Sequence, residues 1–350
     1  MHKTIERLEG DSEGVGYEFP VFRFDGTDAS APTAYLQAAL HAGELPGTVA
    51  IDALMPMLAK AESEKRIRGA ITVVPWANPV GRAQYHFTVL EGRFHLDTRT
   101  NFNRSFPLID RPDASLLPDE STLPTIDQRL KVRLLKLSLG HDIILDLHCD
   151  EESVSYLYVP RQLWPAMENC AAAMAVDAVL LWEGASDAAF EEASLQPLLS
   201  KDKAALERHA VTTVEYRGIA DVDAGFAQAD GEGLYRLLVA RGVVEDATVA
   251  APGPFTGLVA PLENIDMMPA PKGGAVLYAV KPGDQVQKGD LLATVVHAPG
   301  EPGGRAEVRA PQAGYVLTRR SHRITRARED LVKLVGSQRS GDARSGTLEV

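Results

Sequence analysis

One stretch constrains this chain more than any other: the mostly apolar run from Tyr35 to Leu40, followed at once by His41-Ala42-Gly43-Glu44-Leu45-Pro46-Gly47. The run predicts a buried strand, Gly43, Pro46 and Gly47 end it, and Thr48 to Lys60 has the apolar spacing of a helix, with Pro56 a candidate kink. A buried strand passing directly into a helix is the unit of an open α/β sheet, where reactive groups collect beyond the carboxyl ends of strands. His41 and Glu44 fall at such an end, three positions apart. A catalytic zinc takes three protein ligands and leaves one position open. The pair therefore calls for a third ligand elsewhere.

A second strand end supplies it. Ile143, Ile144, Leu145 and Leu147 enclose Asp146 and bring His148 to the end of an apolar run. Period-two geometry puts Asp146 and His148 on one face. His148 is the candidate third ligand, and Asp146 is placed to orient a ligating imidazole from behind. Cys149 points to the opposite face and reads as a small buried hydrophobe. With Cys170 as the only other cysteine, no disulfide framework can form, which suits a reducing compartment.

The β-branched run Val211–Val214 ends on Glu215, just before Arg217-Gly218. A glutamate beside a metal is the usual acceptor for a water's proton, so Glu215 is the candidate general base. Between Trp76 and Glu120 periodicity fades, and a loop that long inside a compact domain is more often functional than accidental. It carries Asn101-Phe102-Asn103-Arg104, where the planar fork of an arginine beside two asparagines suits a carboxylate.

The remaining pattern frames these residues. Tyr17 to Phe24 alternates as a strand, with Pro20 pointing to an edge strand or a bulge. Ile71–Val74, Ser153–Val159 and Ala178–Trp182 read as strands, and Ile126–Leu139, Leu163–Ala175 and Phe226–Leu238 as helices. Ala189–Leu206 is largely helical with a break near Pro197. The fold class expected over residues 1–250 is α/β, with a mixed, mainly parallel central sheet flanked by helices. Residues 251–270 read as a Pro- and Gly-rich linker or crossover. Residues 271–336 read as a small all-β barrel or sandwich, and 337–350 as a disordered tail.

A net charge of −12 argues against nucleic acid or an anionic membrane surface as a partner. No stretch reaches the roughly 18 unbroken apolar residues of a membrane span, and Met1–Gly10 lacks the apolar core of a signal peptide. A soluble, cytoplasmic protein is expected.

H-A-G-E at 41–44, N-F-N-R at 101–104, L-D-L-H at 145–148 and V-E-Y-R-G at 214–218 together resemble the succinylglutamate desuccinylase and aspartoacylase family, a branch of the zinc carboxypeptidase superfamily. The resemblance runs over residues 30–336. It implies one zinc per chain on His41, Glu44 and His148, with Glu215 promoting attack of the zinc-bound water and Asn103 and Arg104 holding a substrate carboxylate. An earlier arginine would polarise the scissile carbonyl; Arg82, Arg93 and Arg99 compete for that role, and Arg93 is preferred. The activity implied is an amidohydrolase that removes the acyl group of an N-acyl amino acid or similar small amide. A carboxypeptidase-like peptidase and a silent metal-binding protein are the alternatives. The C-terminal P-G-D and K-G-D turns are similar to those of the biotinyl/lipoyl barrel, yet Val296–Val308 has no lysine to display a carried group. That module is expected to wall off the site or to mediate homo-oligomerisation.

Overall fold

The computed structural model describes residues 1–185, 187–341 and 343. Its first 261 residues build a nine-stranded mixed sheet, in the order His2–Glu9, Gly16–Phe24, Ile71–Val74, Ala34–Ala38, Ile143–Asp150, Ala210–Gly218, Tyr156–Pro160, Ala178–Trp182, Leu258–Pro261. From Ile71–Val74 to Ala210–Gly218 the strands run parallel. Tyr156–Pro160 lies antiparallel to Ala210–Gly218, and the strands beyond it are again parallel to their neighbours. A parallel core of this kind must be covered on both faces, which explains its unbroken burial. Every residue of Ala34–Ala38, Ile71–Val74 and Ile143–Asp150 is buried.

The helices divide between the two faces. Pro46–Ser63, Glu168–Met174 and Ala224–Ala240 pack together on the side of Leu145 and Leu147. A Cβ on Gly47 would come within 2.6 Å of the Leu147 Cβ, so glycine lets this helix start directly against the strand. Ile126–Ser138 and the short helix Phe190–Leu195 cover the side of Asp146 and His148, where Phe190 packs its ring against Tyr35.

Two sequence readings are corrected. Gly16–Phe24 is not an edge strand, because His2–Glu9 pairs along it with Ile5 opposite Pro20. The outer strand is rich in charge, which hides it from a hydrophobic pattern and protects an exposed sheet edge. The helix read as Leu163–Ala175 shrinks to Glu168–Met174, since Pro165 holds Trp164 extended and leaves only a 3-10 turn before it. The stretch 251–270, read as a linker or crossover, gives Leu258–Pro261 to the large sheet and Ile265–Pro269 to the C-terminal one.

From Ile265 to Gly336 two antiparallel sheets face a separate apolar cluster that includes Val276, Leu292, Val295, Val316 and Leu334. One orders Ile265–Pro269, Asp330–Gly336, Gly314–Arg319 and Gln285–Val286; the other orders Arg305–Arg309, Leu291–Val296, Gly274–Tyr278 and Ile324–Thr325. Glu152–Ser153, just past the His148 strand, pairs with Arg319 and Thr318 and so ties this region to the large sheet. Of the expected disordered tail, Ser340 is buried and its N–H donates to the Glu263 carbonyl, while residues 342 and 344–350 lie outside those described. Among the described residues, no helix is long and apolar enough to cross a membrane.

Candidate metal centre and active site

The chain turns sharply where the first ligand pair begins. Ala39 adopts a left-handed φ of 58°, a conformation that costs an alanine about 1–2 kcal/mol, and His41 and Glu44 follow in the turn before Pro46. The long loop closes over this turn. Gly92 accepts the Ala42 N–H at 3.0 Å, and a Cβ on Gly92 would come within 2.8 Å of the Ala42 Cβ. Next to Gly92, Arg93 reaches the centre; a bridge between Phe94 and Asn101 then returns the loop to the same place.

Among the described residues, His41, Glu44 and His148 form a cluster able to hold a metal ion, one ligand atom from each lying within 4.8 Å of the others. Both imidazoles turn Nδ1 toward Glu44. His41 Nδ1 lies 2.8 Å from Oε1 and His148 Nδ1 lies 2.8 Å from Oε2, which also accepts the Cys149 N–H at 3.3 Å. The outer nitrogens are fixed as well: His41 Nε2 is 2.8 Å from Asn101 Oδ1, and His148 Nε2 is 2.9 Å from Asp146 Oδ2.

The donor set fits a divalent cation. Asn101 Oδ1 also accepts the Asn103 N–H at 2.8 Å, so that atom is an oxygen and His41 Nε2 must donate to it. Burial, followed by the Arg93 charge, depresses the His41 pKa and keeps the ring neutral, so its Nδ1 presents a lone pair to a carboxylate oxygen. Such a contact needs positive charge between or beside the two atoms. Burial opposes a charge on His148, but Asp146 and Glu44 override it and push that imidazole well above its ordinary pKa. Burial would likewise raise Glu44, and the two histidines instead hold it well below the usual carboxylate range. Arg93 Nη1 adds its own charge 3.1 Å from Glu44 Oε1 and 3.2 Å from His41 Nδ1. Two nitrogens and a carboxylate in a buried cluster are a donor set that zinc accepts.

The family model of the succinylglutamate desuccinylase/aspartoacylase catalytic domain matches residues 30–220. The chain belongs to this family. Solved structures agree in fold across nearly the whole chain. A succinylglutamate desuccinylase/aspartoacylase family protein from Shewanella amazonensis is 25% identical over 96% of this chain and 99% of its own, with a TM-score of 0.82. One from Shewanella frigidimarina is 22% identical over 96% and 97%, with a TM-score of 0.82. The product-bound ectoine utilization protein EutE (DoeB) from Ruegeria pomeroyi is 22% identical over 96% and 95%, with a TM-score of 0.69. No curated protein matches.

The other residues of the desuccinylase/aspartoacylase motifs lie as follows. Glu215 is half-buried and is the register partner of His148 on the adjoining parallel strand, with Tyr156 opposite it on the other side. Of the three competing arginines, Arg93 lies at the centre. Arg82 stacks over Trp76, 4.1 Å from the ring centroid, and Arg99 takes a left-handed turn conformation and bonds its N–H to the His95 carbonyl. Asn103 is buried and its Oδ1 accepts the Phe190 N–H at 2.8 Å, which turns its oxygen inward. Arg104 is half-buried, and its Nη1 donates to the Asn103 carbonyl at 2.7 Å.

Sequence reasoning grouped Asn101 with Asn103 beside Arg104 as suited to a carboxylate, and did not foresee it as the acceptor that sets the His41 ring. It also missed Glu191, on the helix over the His148 face. Burial pushes that carboxyl up to about 7 while its Oε2 accepts the Thr213 N–H at 2.9 Å. Its one sequence signal, a pair of glutamates flanked by Phe190 and Ala193, equally fits a surface helix.

Proposed function

We propose that this chain is a zinc-dependent amidohydrolase, a deacylase that cleaves the amide bond of an N-acyl amino acid or a similar small N-acylated amine. The observation that carries this reading is the convergence of two imidazole Nδ1 atoms on the two oxygens of Glu44, with Glu215 in register beside His148.

In this reading His41, Glu44 and His148 hold the metal and Asp146 orients His148. Zinc held there supplies a Lewis acid that polarises the amide carbonyl and acidifies water. The Glu215 carboxylate takes the proton of the attacking water and then returns it to the departing amine nitrogen. The Arg93 guanidinium steadies negative charge on the former carbonyl oxygen as the new C–O bond forms. Arg104 binds the substrate's carboxylate through its planar fork, and Asn103 assists through its NH2 group, its oxygen being engaged by Phe190. We take residues 1–250 as the hydrolase unit and 271–336 as a small β unit that frames the mouth and limits substrates to small ones.

The test combines metal analysis with a substrate screen. The purified protein should carry about one zinc per chain, and should hydrolyse N-acyl amino acids in preference to peptides with free or blocked C-termini. Hydrolysis of free-ended peptides alone would turn the reading into a carboxypeptidase; no hydrolysis by zinc-loaded protein across both sets would leave a binding protein.

A further inference from the structure

The strand Ala34–Ala38 contains one polar residue at full burial, Gln37, and beside it a fully buried tyrosine, Tyr35. A buried carboxamide is costly unless its oxygen and nitrogen are both bonded, so a glutamine in an otherwise apolar central strand calls for a reason. Gln37 is the register partner of Asp146 on the neighbouring strand. Its Nε2 lies 3.0 Å from Asp146 Oδ1, and its Oε1 lies 2.7 Å from the Tyr35 hydroxyl. On the far side, Asp146 Oδ2 meets His148 Nε2 at 2.9 Å and His148 Nδ1 meets Glu44 at 2.8 Å. The result is a continuous buried chain from a phenol to the candidate metal centre.

The chemistry of each group fixes the direction of every bond in that chain. Asp146 offers only acceptors, so the glutamine must turn its NH2 toward it and its oxygen toward Tyr35. Tyr35 can then only donate, and its ring is held between His141 and Phe190, with centroids 5.8 Å and 6.0 Å away. The reversed amide would set oxygen against carboxylate at one end. With one Asp146 oxygen held by the glutamine, the other is aimed at His148 Nε2, which donates.

We propose that Gln37 and Tyr35 are positioning residues for the metal centre, fixing through Asp146 which nitrogen of His148 carries the proton and which faces the metal. The proposal rests on the reading of His148 as a metal ligand. Groups that orient a ligating histidine from outside the coordination sphere change metal affinity by about 10–100-fold when lost. Gln37 thus acts two hydrogen bonds away from the His148 ring, at the nitrogen opposite the one that faces Glu44.

The experiment measures zinc affinity by chelator competition for the parent, Gln37→Met, Tyr35→Phe and His148→Ala, together with 15N chemical shifts of His148 in the zinc-saturated parent, Gln37→Met and Tyr35→Phe proteins. Gln37→Met keeps volume and removes both polar ends. It should bind zinc about 10–100-fold more weakly and move the His148 nitrogen shifts from the pattern of the parent. Tyr35→Phe should change both in the same sense by a smaller factor. Parent affinity and parent shifts in Gln37→Met would overturn the relay while leaving the deacylase reading intact. Should Gln37→Met fail to fold, the same two null results in Tyr35→Phe overturn it. Stoichiometric zinc in His148→Ala would instead overturn the ligand reading and the relay with it.

Discussion

Lys333 Nζ lies 2.6 Å from Asp150 Oδ2, a buried ion pair that joins the C-terminal sheet to the strand carrying His148. Asp150 is two residues past His148, on the same face of that strand. The Tyr156 hydroxyl donates to the same oxygen at 2.8 Å, and Tyr156 is the register partner of Glu215. The C-terminal region therefore touches the frame of the site and not merely its rim. Lys333→Met removes the cation and leaves the carboxylate buried, which should lower stability by about 3–5 kcal/mol. Denaturant unfolding checks this, and adding Asp150→Asn should recover much of the loss. Equal stabilities in parent and Lys333→Met would relegate the pair to a crystal-like contact without energetic weight.

Metal retention separates the ligands from the group that aims one of them. His41→Ala should abolish stoichiometric zinc. Asn101→Ala leaves all three ligands in place and frees the His41 ring, so zinc should remain but bind about 10–100-fold more weakly. Atomic absorption after dialysis against a graded chelator distinguishes the two, and a zinc-replete His41→Ala protein would refute the ligand set.

Glu215 is predicted to matter for rate and not for metal. Glu215→Gln keeps the shape of the side chain but cannot take a proton, so kcat should fall by roughly 10²–10⁴ with zinc and fold unchanged. Loss of zinc from this variant would make Glu215 a ligand. Hydrolysis at the parent rate would move the base elsewhere, with Asp150 and Glu151 the next carboxylates to try.

The two arginines should divide kinetically. Arg104→Lys keeps charge without the fork and should raise KM for carboxylate-bearing substrates with little change in kcat. Arg93→Ala, next to Glu44 and His41, should lower kcat instead, by about 10²–10³ if its N–H serves the developing oxyanion. Steady-state kinetics on one N-acyl amino acid is enough; an unchanged KM in Arg104→Lys would return that residue to a structural part.

Glu191 should give the metal-free protein a pH-dependent weakness. Its carboxyl rises from 4.5 to about 7 on folding, chiefly through burial. A raised folded pKa means that the native state prefers the protonated form, so the stabilisation is complete below pH 4.5 and is lost as pH climbs through about 7. Glu191→Gln should therefore gain on the parent between pH 5 and 8, by up to about 3 kcal/mol at ~1.4 kcal/mol per pH unit. Unfolding free energies of both proteins at the two pH values test it, and a constant difference would count against the assignment.

The residues legible in the sequence share one property. His41, Glu44, Asp146, His148 and Glu215 each sit at or within the end of a strong apolar run, and a sheet brings such ends together whatever the loops do. Arg93 and Asn101 reach the centre because the loop folds back through the Ala42–Gly92 and Phe94–Asn101 contacts, which have no periodicity to read. Gln37 was masked by its apolar neighbours, since one polar residue does not disturb a hydrophobic pattern. The outer strand His2–Glu9 failed for the opposite reason, being too charged to look like a strand. Lys333 could not be placed at all, because nothing near it in sequence points to a carboxylate 183 residues away.

That separation also sets a schedule. All three candidate ligands and Glu215 precede Lys333 by more than 100 residues, and domains form from the N-terminus as synthesis proceeds. At roughly 5–20 residues per second, Asp150 leaves the ribosome about 10–40 s ahead of the lysine that neutralises it. During that interval the nascent sheet carries an acidic strand end that still lacks Lys333, beside the complete set of candidate ligands. Asp330–Gly336, the last strand among the described residues, is thus the one that closes the charge balance at Asp150.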